Sequence, residues 1–184
     1  SAAASRPVST VIGLLGVVAL ILANGLFVAA EFALVAVDRS QIAIEVENGT
    51  RGARLVESIH RRLSYSLSGA QLGITICSLA LGVLSEPVVA PLLEPIFGPL
   101  DHSAAVTASV VAALLLTTVV QMVVGELVPK GIAVAKPLPT ALAMSAPFGF
   151  FVTVFRPVIA VCNAAADGLL RLVGVEPAEE LATV

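Results

Sequence analysis

The chain has little charge. Only 12% of its 184 residues are Asp, Glu, Lys or Arg, while 58% are hydrophobic, and the mean hydropathy is +1.01. A soluble domain carries about twice that charged fraction, so a water-facing globular fold does not fit. The net charge of −3 comes from few ionisable groups, and aromatics make up 4% of the chain. No basic stripe with interleaved aromatics exists, which removes the footprint of nucleic-acid binding. Cys77 and Cys162 lie in apolar sequence without metal-ligand spacing and read as packed thiols. His60 and His102 are isolated, read as solvated side chains, and give no basis for zinc. No His-Glu-x-x-His motif occurs and no serine has a convincing base partner, so no catalytic residues and no enzyme are expected. Internal repeats and low-complexity tracts are also missing.

What is present is apolar length. Three runs, 7–30, 63–85 and 102–125, contain no formal charge, and each exceeds the roughly 20 residues that cross a bilayer core. The first is too long for a signal-peptide core, and its Ala29-Ala30 pair runs straight into Glu31 and further apolar sequence. These features predict an all-α membrane protein with three transmembrane helices, the first over about 8–37. Gly25, Ala29 and Ala33 repeat at four-residue spacing and form a small-residue ridge for close helix approach.

Charge bias orients the spans. The segment 38–62 carries Arg39, Arg51, Arg54, Arg61 and Arg62, and Lys130 and Lys136 follow the third run. The loop after the second run holds Glu86, Glu94 and Asp101 among Pro87, Pro91, Pro95 and Pro99, with no lysine or arginine. The positive-inside rule then places the N-terminus outside a plasma (inner) membrane. Asn48-Gly49 splits 39–62 into a cytoplasmic helix hairpin, with Ser40 and Thr50 as candidate caps. Pro137, Pro139, Pro147 and Pro157, with Arg156 among them, make 137–175 a juxtamembrane belt of bent interfacial helices, a fourth span being the alternative. Residues 1–136 thus read as a three-span core. Residues 176–184, with Glu176, Glu179 and Glu180, read as the start of a linker.

Chemistry concentrates where the third run ends. In Gly125-Glu126-Leu127-Val128-Pro129-Lys130, proline has no amide hydrogen, so the carbonyl of Gly125, four residues back, loses its helical partner. Such carbonyls in membrane helices line a cavity or find another donor. A bared carbonyl beside the Glu126 carboxylate offers two hard oxygens, which suit a small divalent cation. A plainer alternative is an interfacial Glu126 paired with Lys130 one turn on. The second run adds Ser64, Ser68, Gln71, Thr75, Ser78, Gly82 and Ser85 at spacings of four and three, one narrow helical stripe. Those hydroxyls either bond back to their own helix or line a cation path. Asn24 and Glu31, seven residues apart, approach from the first span, and Gln121 extends the Gly125 face of the third.

At these residues the chain resembles the membrane domain of the CNNM/CorC family. The resemblance rests on Asn24-Gly-Leu-Phe-Val-Ala-Ala-Glu31-Phe-Ala-Leu, then Gln71-Leu-Gly-Ile-Thr75, then Gly125-Glu-Leu-Val-Pro-Lys130. It covers nearly the whole chain, with the motifs in order. It implies three spans, a cytoplasmic helix pair, a juxtamembrane belt, a homodimer, and a pair of cytosolic CBS modules beyond this chain. It also implies magnesium or cobalt transport or efflux, with sodium as coupling ion and no organic cofactor in this segment. The implied metal ligands are Glu126 and the Gly125 carbonyl. Asn24, Ser68, Gln71 and Ser78 are candidate neutral oxygens, and Glu31 tunes the field or binds a coupling ion. Magnesium-handling relatives tend to carry a serine at the position of Val28 and asparagines at Ile74 and Ser78, so this chain departs at three ligand positions and only Ser78 keeps an oxygen.

Overall fold

A computed structural model describes residues 2–99 and 101–174, with side chains from Thr10 onward. Those residues are almost wholly helical, without strands. Helix α1 spans Ala2–Ala36, α2 Arg39–Glu47, α3 Ala53–His60 and α4 Leu63–Leu93; a 3₁₀ turn follows at Glu94–Phe97. Helix α5 spans His102–Val120, a π-helical segment Gln121–Leu127, α6 Val128–Ala135, α7 Pro137–Val154 and α8 Arg156–Leu172. The expected linker at Glu176, Glu179 and Glu180 lies outside the described residues.

Four stretches are long and apolar enough to cross a membrane: Thr10–Ala36, Leu63–Phe97, His102–Ala135 and Pro137–Val154. Length and composition therefore admit one span more than the three expected. The two objections to a fourth weaken on inspection. Pro137 and Pro139 stand in the first turn of α7, where a missing amide hydrogen costs nothing, and Arg156 opens α8 rather than dividing a span. Helix α4 also outlasts its predicted end, because Pro87 and Pro91 are accommodated inside it. The acidic loop is correspondingly shorter.

The chain divides into two compact units, Ser1–Gly25 with Ile74–Pro129, and Leu26–Gly73 with Lys130–Val184. In the first, Val17 and Ile21 of α1 pack with Leu81 and Val88 of α4, with Leu20, Leu84 and Val89 around them. The buried face of α5 is a row of small and polar residues, Ala105, Ser109, Ala113 and Thr117. The Ser109 hydroxyl bonds back to its own helix, donating to the carbonyl of Val106 at 2.8 Å.

In the second unit, α3 packs against α7, and the largest fully buried side chain is Phe148. Around it lie Ala30, Leu34, Val56, Ile59, Ala141 and Met144. Ala29 and Ala33 of the predicted ridge are buried. Phe27 meets Phe151 edge-on at 4.5 Å, and Phe151 stacks on Phe155 at 4.4 Å. The helix pair exists where predicted, but its caps differ. Asp38, not Ser40, caps α2, accepting from the Ser40 amide at 2.8 Å. Both hydrogen bonds from Ser40 hold the exposed Asp38 carboxyl below its ordinary pKa. Thr50 instead donates its hydroxyl to Glu45 within the turn. Gly52 opens α3 at φ 87°, a left-handed conformation that side chains other than glycine rarely adopt.

Two sequence expectations about single residues are corrected. His60 is buried at 8% exposure, not solvated, because α3 turns it inward together with Val56 and Ile59. Cys77 is buried as expected, but Cys162 is exposed on α8.

Candidate cation site

The site grows from a change of helical register. Between Gln121 and Leu127 the backbone leaves the α pattern, and the Val128 amide donates to the carbonyl of Val123, five residues back. Single π turns inside α-helices are frequent at functional sites. This one ends beside Pro129, whose missing amide leaves the ladder short of a donor. Sequence reasoning located the shortage but not the register change. Gly125 followed four residues later by proline was the available signal.

The Gly125 carbonyl is not left bare. Asn24 Nδ2 of α1 donates to it at 3.0 Å, in a buried contact. Gly125 makes this approach possible: a Cβ there would lie 3.3 Å from Asn24 Nδ2 and 3.4 Å from the Ile21 carbonyl oxygen. The expected unpaired oxygen is thus corrected to a paired one, and the vacancy moves one atom outward. A carbonyl can only accept, so the amide group of Asn24 must turn its nitrogen toward Gly125. Its Oδ1 is then the atom left over. Asn24 is 1% exposed, and Oδ1 finds no hydrogen-bond partner among the described residues. A buried acceptor without a donor costs about 1–3 kcal/mol.

A second polar contact joins the same unit. Gln121 Nε2, one turn before Gly125, donates to Ser78 Oγ on α4 at 2.7 Å. Glu126 follows Gly125 within the π segment and is half-buried. Among the described residues, no three His, Cys, Asp or Glu side chains gather where they could hold a metal. Any cation at the Asn24–Gly125 contact would therefore meet neutral oxygens first.

The remaining sequence candidates belong to the second unit. Ser68 donates back to the carbonyl of Ser64 at 3.1 Å, the plainer of its two readings. Gln71 is exposed on α4, and Glu31 is half-buried on α1. Lys130 Nζ stands 4.5 Å from the centre of the Phe32 ring, a cation–π contact. The predicted stripe is split by environment: Ser85 is buried, while Gln71, Thr75 and Gly82 face outward from the chain. Val28, at one departing position, is buried at 4% exposure, and Ile74, at another, is half-buried.

The cyclin M transmembrane N-terminal domain family matches residues 15–184. The chain belongs to that family. It is 45% identical over 174 residues to the UPF0053 protein MT1890 of Mycobacterium tuberculosis, covering 94% of this chain and 38% of that protein. It is 39% identical over 163 residues to the UPF0053 protein YhdT of Bacillus subtilis, covering 88% of this chain and 35% of that protein. The chain thus spans less than half the length of the curated relatives it matches. It is a multi-pass membrane domain of the CNNM family.

Proposed function

We propose that this domain is the membrane part of a divalent-cation transporter or exporter, with magnesium as the first candidate cargo and sodium as a coupling ion. The observation that carries the reading is the orphaned Oδ1 of Asn24, whose Nδ2 is held by the Gly125 carbonyl in a π-helical segment that also contains Glu126. A buried oxygen without a protein donor accepts a water or a cation, and a hydrated cation supplies both. Magnesium favours a carboxylate, carbonyl and amide oxygens with retained water, which is the donor set of Asn24, Gly125 and Glu126. Ser78, which accepts from Gln121, is the further candidate oxygen of the same unit. The proposal includes a homodimer in an inner membrane, the N-terminus outside, and cytosolic CBS modules beyond this chain.

A second reading has its own support. Val28 is buried and Ile74 half-buried, and neither offers an oxygen, so the domain would serve as a membrane anchor and dimerisation platform for the cytosolic modules. One experiment separates the two. The full-length protein is reconstituted in vesicles, and magnesium flux and magnesium-dependent melting are measured for wild type, Glu126→Gln and Asn24→Leu. The transporter reading expects wild type to move and be stabilised by the ion, with both effects lost in each variant. Identical behaviour of all three proteins across magnesium, manganese and cobalt would leave only the anchor.

A further inference from the structure

Away from the cation site, the second unit contains a cavity of ≈ 470 Å³ lined by three arginines, Arg61, Arg62 and Arg156. Carbon-rich walls come from Leu55 of α3 and Val152 of α7, and Tyr65 and Ser58 add polar groups. Sequence gives no hint of the convergence, since Arg156 is more than ninety residues from the others. The fold brings them together through the Tyr65 hydroxyl, which donates to the backbone carbonyl of Arg156 at 3.0 Å. Only Arg61 has a carboxylate partner, Glu57 Oε2 at 3.4 Å across one exposed helical turn. Among the described residues, Arg62 and Arg156 form no ion pair, so two positive charges face the cavity uncompensated.

Depth supplies the second argument. Arg61 and Arg62 immediately precede the membrane-competent stretch Leu63–Phe97, and Arg156 follows the stretch Pro137–Val154 by two residues. Two apolar stretches therefore end at this cavity, which puts the guanidinium groups at the level of the membrane–water boundary. Guanidinium forks match phosphate oxygens in a bidentate geometry, and an apolar wall beside them suits the glycerol and acyl portion of a lipid.

We propose that the Arg62–Arg156 cavity binds a phosphate group, that of an anionic lipid headgroup. The test uses the full-length protein in mixed micelles. Its melting temperature is followed against added phosphatidylglycerol, phosphatidylcholine and inorganic phosphate, for wild type and Arg62→Gln/Arg156→Gln. Arg51→Gln serves as a control outside the cavity. Wild type and the control are expected to be stabilised by phosphatidylglycerol more than by phosphatidylcholine. The double variant should need about tenfold more phosphatidylglycerol for half the shift. Stabilisation by inorganic phosphate alone, lost in the double variant, would keep the phosphate site but reassign its source to a soluble anion. Because the Tyr65 bond uses the Arg156 backbone, the substitutions leave that tether intact. Should the double variant fold poorly, Arg62→Lys/Arg156→Lys keeps both charges and should still weaken binding through loss of the forks. Wild-type titration curves from either double variant would overturn the proposal.

Discussion

Pro129 and Pro147 pose the same problem in two regions of the molecule, and the regions answer it differently. Helix α7 continues in α register through Pro147, and the next residue, Phe148, is the largest fully buried side chain among the described residues. Before Pro129 the backbone shifts to π register, and the next layer is polar: Asn24, Gln121 and Ser78 around Gly125. A proline alone therefore does not open an apolar helix. The opening needs a residue without a side chain and a buried donor aimed at the freed carbonyl. The Pro147 region spends its interior on packing; the Pro129 region keeps a buried oxygen unsatisfied.

That contrast can be broken from either side. The largest effect is expected at the packed end. Phe148→Ala should cost about 3–5 kcal/mol of stability through the cavity it leaves. The magnesium response of whatever protein remains folded should survive, and its loss would show that the two regions are not separable. A smaller effect is expected at the polar end. Gly125→Ala places a methyl within 3.3 Å of Asn24 Nδ2 and should cost about 1–3 kcal/mol by overpacking. Yet it should abolish the magnesium-dependent shift in melting temperature. A variant that melts lower but keeps the full shift would remove Asn24 from the site.

The smallest effect concerns pH and again the packed region. Burial, and next the nearby charge of Arg39, push the His60 imidazole below its ordinary value of 6.5, while a hydrogen bond with the Leu34 backbone partly opposes them. The unfolded chain then binds the proton more readily than the folded one. The stability contributed by neutral His60 is complete above about pH 6.5 and falls as pH drops below it toward the folded value. Melting temperatures from pH 8 to pH 5 should decline less for His60→Asn than for wild type. Parallel curves would show that His60 takes up its proton equally readily in the folded and unfolded chains, and that burial does not depress it.

Much of this was legible before any coordinates. Hydropathy and charge revealed the helical membrane character, because a bilayer permits few structures and their lengths are set by its thickness. Asn48-Gly49 marked the turn between α2 and α3, and Gly125 with Pro129 marked the place where the ladder fails. Other features were not legible. The extra membrane-competent helix was obscured by its prolines, whose effect depends on whether they fall in a first turn. The burial of His60 depends on which face of a short helix meets α7. The three-arginine cavity joins residues far apart in the chain, and no local pattern records that.

The sequence by itself determined that this chain is a helical membrane domain of its family, and that a proline four residues on takes the helical donor from the Gly125 carbonyl, next in sequence to Glu126. Those properties are sums over single residues and their spacing. Only the tertiary structure decided which oxygen is left over. The donor to the Gly125 carbonyl comes from a helix a hundred residues earlier, and an amide that gives its nitrogen to one partner must leave its oxygen for another.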